Sequence, residues 1–274
     1  MTVLADAMNA LFDALCAPFA GVPAIGVLVL SLLIGVVMLL LFKWSTNQDR
    51  LVAARRVLTG RVYEMGLFQD HLGVLMRIQK DLLVANLRYL RWSLPALVVI
   101  IVPMVLILAQ LDARYGHRPL QPGETTLITA KVDAGQADVL ETIALTAADG
   151  VTVEAGPVRD RSLGTATWRI RIDAAGDHDV AVVFPDGTRA EKRVRAGGGT
   201  PRIAGTRERE SLARTFLNPA ESPLPGDTPL RSIAVELPAR DLDYLGVRTN
   251  WLVALCVFSI LFGLAVKDLF RVRF

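Results

Sequence analysis

Few residues in this chain are suited to chemistry, and their spacing is poor for it. His117 and His178 are the only histidines of residues 112–250. His178 stands between Asp177 and Asp179, with Asp173 just upstream, a set that binds a divalent cation weakly at best. A polar turn between two strands accounts for the same residues without a metal. Cys16 and Cys256 lie far apart in apolar surroundings, with the spacing of neither a zinc site nor a disulfide framework. No G-x-S-x-G elbow, Walker A loop, zinc-binding helix or Cys–His pair occurs. The expectation is a protein that is not an enzyme and needs no metal and no cofactor.

The elements around these residues point to a membrane. Of 274 residues 52% are apolar, against about 45–50% in soluble domains, and the excess sits in three blocks. Residues 22–43 and 92–111 are each long enough for a crossing of ~20 residues. A third crossing over 249–268 has Trp251–Val266 as its core and is extended by Thr249, Asn250 and the residues after Lys267. Trp44, Trp92 and Trp251 lie at block ends, where indoles favour the interface.

Lysine and arginine set the orientation. Residues 1–42 carry none, whereas 43–91 carry nine, and Lys267, Arg271 and Arg273 follow the last block. The positive-inside rule then places the N-terminus outside, 44–91 and the 269–274 tail inside, and 112–248 outside. The expected location is a plasma (inner) membrane, with lipid as the first partner. The formal net charge of +3 with cations clustered beside apolar blocks excludes nucleic acid as a partner. Residues 1–21 lack the basic start of a signal peptide. Leu4, Met8, Leu11, Leu15 and Phe19 repeat at helical spacing opposite Asp6, Asn9 and Asp13, which predicts an amphipathic helix on the outer interface.

Residues 44–91 lack proline and predict a helical hairpin broken at Gly66–His71, with Asp70 as N-cap of the second arm. Leu51, Leu58, Val62 and Met65 form the first stripe. Leu72, Leu75, Gln79, Leu82, Asn86 and Tyr89 alternate by three and four, the seam of an antiparallel coiled coil in which Gln79 and Asn86 set register. A second stripe, Met76, Leu83, Leu87 and Leu90, stays apolar on another face. It suits packing on the chain's own membrane helices, the bilayer or a hydrophobic client. The second arm runs directly into the 92–111 block, whose Pro95 and Pro103 each remove a backbone donor and favour kinks. Lys43, Arg88 and Arg91 gather at the cytoplasmic mouth, as lipid anchors or as contacts for a client.

An outward N-terminus, one crossing, a basic helical hairpin and a second crossing continuous with it resemble the Oxa/YidC membrane-insertase superfamily. The nearest likeness is to its short coiled-coil branch, which holds the coiled-coil subunit of the ER membrane protein complex and archaeal relatives. The stretch from Gln69 to Leu90, rich in Gln, Lys, Met and Leu and leading towards Pro95, is similar to the second arm of those proteins. The resemblance implies a hydrophilic groove open to the cytoplasm that eases insertion of short membrane segments. This chain departs from the pattern in having charge-free crossings and a large insertion before the last one.

Residues 112–200 alternate apolar and polar in short runs. Strands are expected over 125–132, 142–146, 151–154, 165–172, 180–184 and 191–195, with a hairpin turn at Pro185-Asp186-Gly187-Thr188. That pattern predicts an Ig-like β-sandwich. Residues 201–248 read as linker, with a short helix over 207–216 and a final strand over 233–237. The expected fold is mixed: a three-helix transmembrane bundle, a cytoplasmic coiled-coil hairpin and an extracytoplasmic sandwich. Two functions fit it. One is an insertase-like factor acting on membrane-protein clients. The other is a non-catalytic adaptor subunit of a larger membrane complex, with the sandwich as its outer binding module.

Overall fold

The computed structural model describes residues 2–46, 48–68, 72–133, 135–210 and 218–270. The chain divides into two compact units. One, rich in β-structure, comprises residues 1–26 and 106–252; the other, helical, comprises 27–105 and 253–274.

In the β-rich unit two antiparallel sheets enclose one core. β1 (Thr125–Val132), β3 (Val151–Asp160), β4 (Thr165–Ile172), β7 (Thr206–Glu208) and β8 (Leu230–Val235) form a sheet in the order β3-β4-β1-β8-β7. β2 (Ala144–Ala147), β5 (Gly176–Val183) and β6 (Arg189–Ala196) form the second, in the order β2-β5-β6. Strand alternation puts every second side chain inward. Ile128, Trp168, Ile170 and Ile172 from the first sheet thus meet Val180, Val182 and Val194 from the second. The expected 185–188 turn is present, with Asp186 Oδ1 accepting from the Thr188 amide at 2.9 Å.

Several boundaries move. The expected final strand is β8, which starts at Leu230 and lies inside the large sheet between β1 and β7. Arg207 and Glu208, expected to begin a helix, belong instead to strand β7. Arg209 forms an isolated bridge with Leu224, and residues 211–216 of that expected helix lie outside the described residues. The supposed linker also holds a hairpin of β9 (Asp241–Tyr244) and β10 (Val247–Asn250). Thr249 and Asn250 therefore belong to a strand rather than to the third crossing. Asn250 instead caps the following helix, its side-chain oxygen accepting from the Leu252 amide at 2.8 Å.

The helices are α1 (Thr2–Cys16), α2 (Pro23–Ser45), α3 (Gln48–Leu67), α4 (Leu72–Leu111) and α5 (Trp251–Val266). Two apolar helical stretches, Pro23–Ser45 and Leu97–Gly116, are long enough to cross a membrane. The second sits later than the 92–111 block because α4 runs on through Leu111 into a π-turn, Asp112–Gly116. α5 is about 24 Å long at 1.5 Å per residue, short of the ~30 Å apolar layer.

Within the helical unit α2 and α5 lie close and parallel. A Cβ on Gly35 would stand 2.8 Å from the Ser259 carbonyl oxygen, and further along the Lys43 ammonium donates to the Phe270 carbonyl at 2.8 Å. Gly35 on α2 faces Ser259-x-x-x-Gly263 on α5. Small residues four apart let helix backbones approach in lipid, where burial of apolar surface supplies little drive.

Candidate functional site

Two side-chain contacts join the hairpin arms. Arg61 on α3 lies 3.7 Å from Asp81 on α4, and the Arg50 guanidinium stacks 4.5 Å over the Trp92 ring. Numbers fall on one helix as they rise on the other, so the arms are antiparallel. Leu51 and Ala54 are buried on α3, and Ile78 and Ala85 on α4.

The expected register of α4 is corrected by one position at two places. Leu75, Leu82 and Tyr89 are half-buried and Ile78 and Ala85 buried, while Gln79 and Asn86 are exposed. Both series obey the three–four spacing, and burial of Ile78 beats burial of an amide without a partner. Val62 is likewise exposed on α3. Asp70, and the side chain of Leu72, lie outside the described residues.

The second apolar stripe is left uncovered. Met76 is 62% exposed, Leu83 62%, Leu87 57% and Leu90 48%. Met76, Leu82 and Leu83, with Gln79, Lys80 and Asn86 along its rim, line a groove of about 540 Å³. An apolar stripe rimmed by amides and one ammonium is what an amphipathic or apolar segment would lie in.

The three expected mouth cations have separate fates. Lys43 donates to the Phe270 carbonyl, just beyond the end of α5. Arg91 stands 6.0 Å from the Trp92 ring, and Arg88 is exposed. Pro95 and Pro103 lie inside α4, which stays α-helical through both.

A polar cluster in the β-rich unit went unread in the sequence. Arg114, 1% exposed, donates to the Gln110 carbonyl at 2.7 Å, to Gln110 Oε1 at 2.9 Å and to Asp13 Oδ1 at 2.6 Å. Gln110 donates in turn to Asn9 Oδ1 at 2.7 Å, and Arg202 reaches Asp13 at 3.3 Å. A buried guanidinium is tolerated only with its donors satisfied, and four acceptor atoms do so here, the fourth being the Asn9 carbonyl at 3.3 Å. The readable signal was two polar pairs at i, i+4, Asn9/Asp13 and Gln110/Arg114. They turn the polar side of α1 inward, beside buried Ala5, Phe12 and Cys16. Leu4 and Leu11, expected on the apolar side, are exposed.

The His178 triplet is not a turn but part of β5. Asp177 and Asp179 point outward and pair across the ladder with Arg195 at 3.1 Å and Arg193 at 3.4 Å. His178 points inward, its ring nitrogens each 2.9 Å from a carbonyl oxygen, of Asp149 and of Ala174. The ring ties two turns together, and Asp173 is spent on Thr152 and Arg171. On β6, Lys192 is buried at 1% exposure, its ammonium 2.5 Å from Glu221 and 2.7 Å from the Ala204 carbonyl. Burial pulls its pKa below the ordinary lysine value, against the opposing charge of Glu221. The ammonium thus ties Ala204 and Glu221 to β6.

No family model, no curated protein and no solved structure matches the chain.

Proposed function

We propose that this chain is a multi-pass membrane protein that receives hydrophobic segments of other membrane proteins on its α3–α4 hairpin, in the manner of Oxa-type insertases. The observation that carries the reading is the exposed stripe Met76, Leu83, Leu87 and Leu90, on the same helix that runs on into a membrane-length apolar stretch. A client captured there is delivered along one rigid element into the bilayer. The orientation follows the basic residues of 43–91: hairpin inside, sandwich outside, N-terminus out, C-terminus in. The parallel pairing of α2 with α5 supports an odd number of crossings, with α5 completed by its trailing turn. Outward Leu4 and Leu11 of α1 favour a helix lying on the outer leaflet.

The strand order supports an Ig-like sandwich. β3-β4-β1 and β2-β5-β6 correspond to the D-E-B and C-F-G orders of that fold, with β8 in the place of its first strand. This closed module favours a second reading, an adaptor whose sandwich binds an outer partner and whose hairpin binds an inner one. Photocrosslinking from Leu83 in native membranes tests the two. Adducts to many short membrane proteins, released on chase, support the client reading. One stoichiometric adduct to a folded subunit supports the adaptor instead, and adducts only within the chain defeat both.

A further inference from the structure

The β9–β10 hairpin ends in a turn whose sequence is locally unfavourable. A two-residue loop joining such strands requires positive φ at both positions, which glycine and asparagine adopt readily. Here the loop is Leu245-Gly246, with Leu245 at φ 55 and Gly246 at φ 89. Leu245 is the one non-glycine residue with positive φ among the described residues. Asp243 Oδ1 holds the turn by accepting from the Gly246 amide at 2.7 Å. The side chain gains nothing from the chain in return: Leu245 is 106% exposed, and Val247 beside it is 66% exposed. A strained residue that presents bare apolar surface is retained for something outside the fold.

Position identifies that partner. Tyr244, next to the tip, donates its hydroxyl to the Ala24 carbonyl at 3.0 Å, in the first turn of α2. The other end of the hairpin caps the first turn of α5 through Asn250. The tip is therefore held level with the start of an apolar helix rather than projecting away from it. Tyrosine is a residue of the membrane interface. We propose that the β9–β10 tip is a membrane-dipping wedge, with Leu245 and Val247 entering the headgroup–acyl boundary of the leaflet in which α2 and α5 begin. The inference rests on the membrane-spanning reading above, and its test separates the two.

The full chain, with Cys16 and Cys256 replaced by alanine, is labelled with an environment-sensitive fluorophore at Leu245→Cys, at Asp186→Cys in the β5–β6 turn, or at Val29→Cys in α2. Val247→Cys is a second tip site should the first disturb the turn. Each is placed in phosphatidylcholine–phosphatidylglycerol nanodiscs carrying a lipid spin-labelled high on its acyl chain. The Leu245 and Val29 labels lose most of their emission to the lipid quencher, while the Asp186 label responds only to aqueous iodide. A Leu245 label quenched by iodide and untouched by the lipid, with Val29 still lipid-quenched, overturns the wedge and leaves the spanning reading intact. A Leu245 label shielded from both quenchers assigns the tip to a protein contact and also overturns the wedge. Loss of lipid quenching at Val29 overturns the spanning reading, and the wedge with it.

Discussion

The sandwich and the hairpin bury their apolar residues to different extents, although both follow the periodicities of their elements. Both sheets of the sandwich turn large side chains inward, and Ile128, Trp168, Ile170 and Ile172 are all buried against the opposite sheet. The hairpin closes its seam with two leucine-sized residues and two alanines, Leu51, Ile78, Ala54 and Ala85, and leaves Met76, Leu83 and Leu87 bare. A sheet pair completes its own core; two helices alone have one seam each, and any second stripe must find another partner. The difference separates a module whose core is complete from one whose apolar surface is exposed.

That contrast can be broken first at the sandwich core. Trp168→Ala should cost about 3–5 kcal/mol, the usual price of truncating a buried large aromatic, read as a lower midpoint of thermal unfolding of the detergent-solubilised chain. Glu221→Ala should cost about 3 kcal/mol, because it strands the buried Lys192 ammonium. The same pair gives a pH dependence. The folded-state pKa of Lys192 lies below its unfolded value, so between the two the unfolded chain holds the extra proton. Stability from this group therefore rises with pH through that window, which ends near the ordinary lysine value, and is constant below the window. Lys192→Met should flatten that alkaline rise in unfolding midpoint relative to the parent chain.

Effects in the helical unit should be smaller. Gly35→Leu forces side-chain atoms against the Ser259 carbonyl and should cost about 1–3 kcal/mol, seen as a lower aggregation temperature in detergent. The smallest effect sharpens the seam assignment. Gln79→Ala and Asn86→Ala should each change helicity and melting of the chain by no more than about 0.5 kcal/mol, as expected of exposed sites. A larger loss would return the two amides to the seam.

The fold was legible where one periodicity stood unopposed. β1 and β4 lie where alternation places them, and the continuity of the second arm with an apolar stretch is α4 itself. Legibility failed where two patterns shared a segment. On α4 the series through Gln79 and the series through Ile78 both alternate by three and four, and only the folded chain, which buries Ile78 and exposes Gln79, separates them. On β5 the polar Asp177-His178-Asp179 masks a strand, because its outward carboxylates pair with arginines of β6, a partner invisible to local reading. β7, β9 and β10 are short strands of three or four residues, below what alternation can reveal. The Arg114 cluster depends on residues a hundred positions apart in the chain and had only its i, i+4 pairs to announce it.

The central claim is that the hairpin and the sandwich lie on opposite sides of one membrane. Single cysteines at Val62 on α3 and at Asp186 in the β5–β6 turn, on a background with Cys16 and Cys256 replaced, can be challenged in intact cells with a membrane-impermeant maleimide. The account predicts that Asp186→Cys is labelled from outside and Val62→Cys only after permeabilisation. Labelling of both from the same side, or of Val62→Cys alone in intact cells, would contradict it.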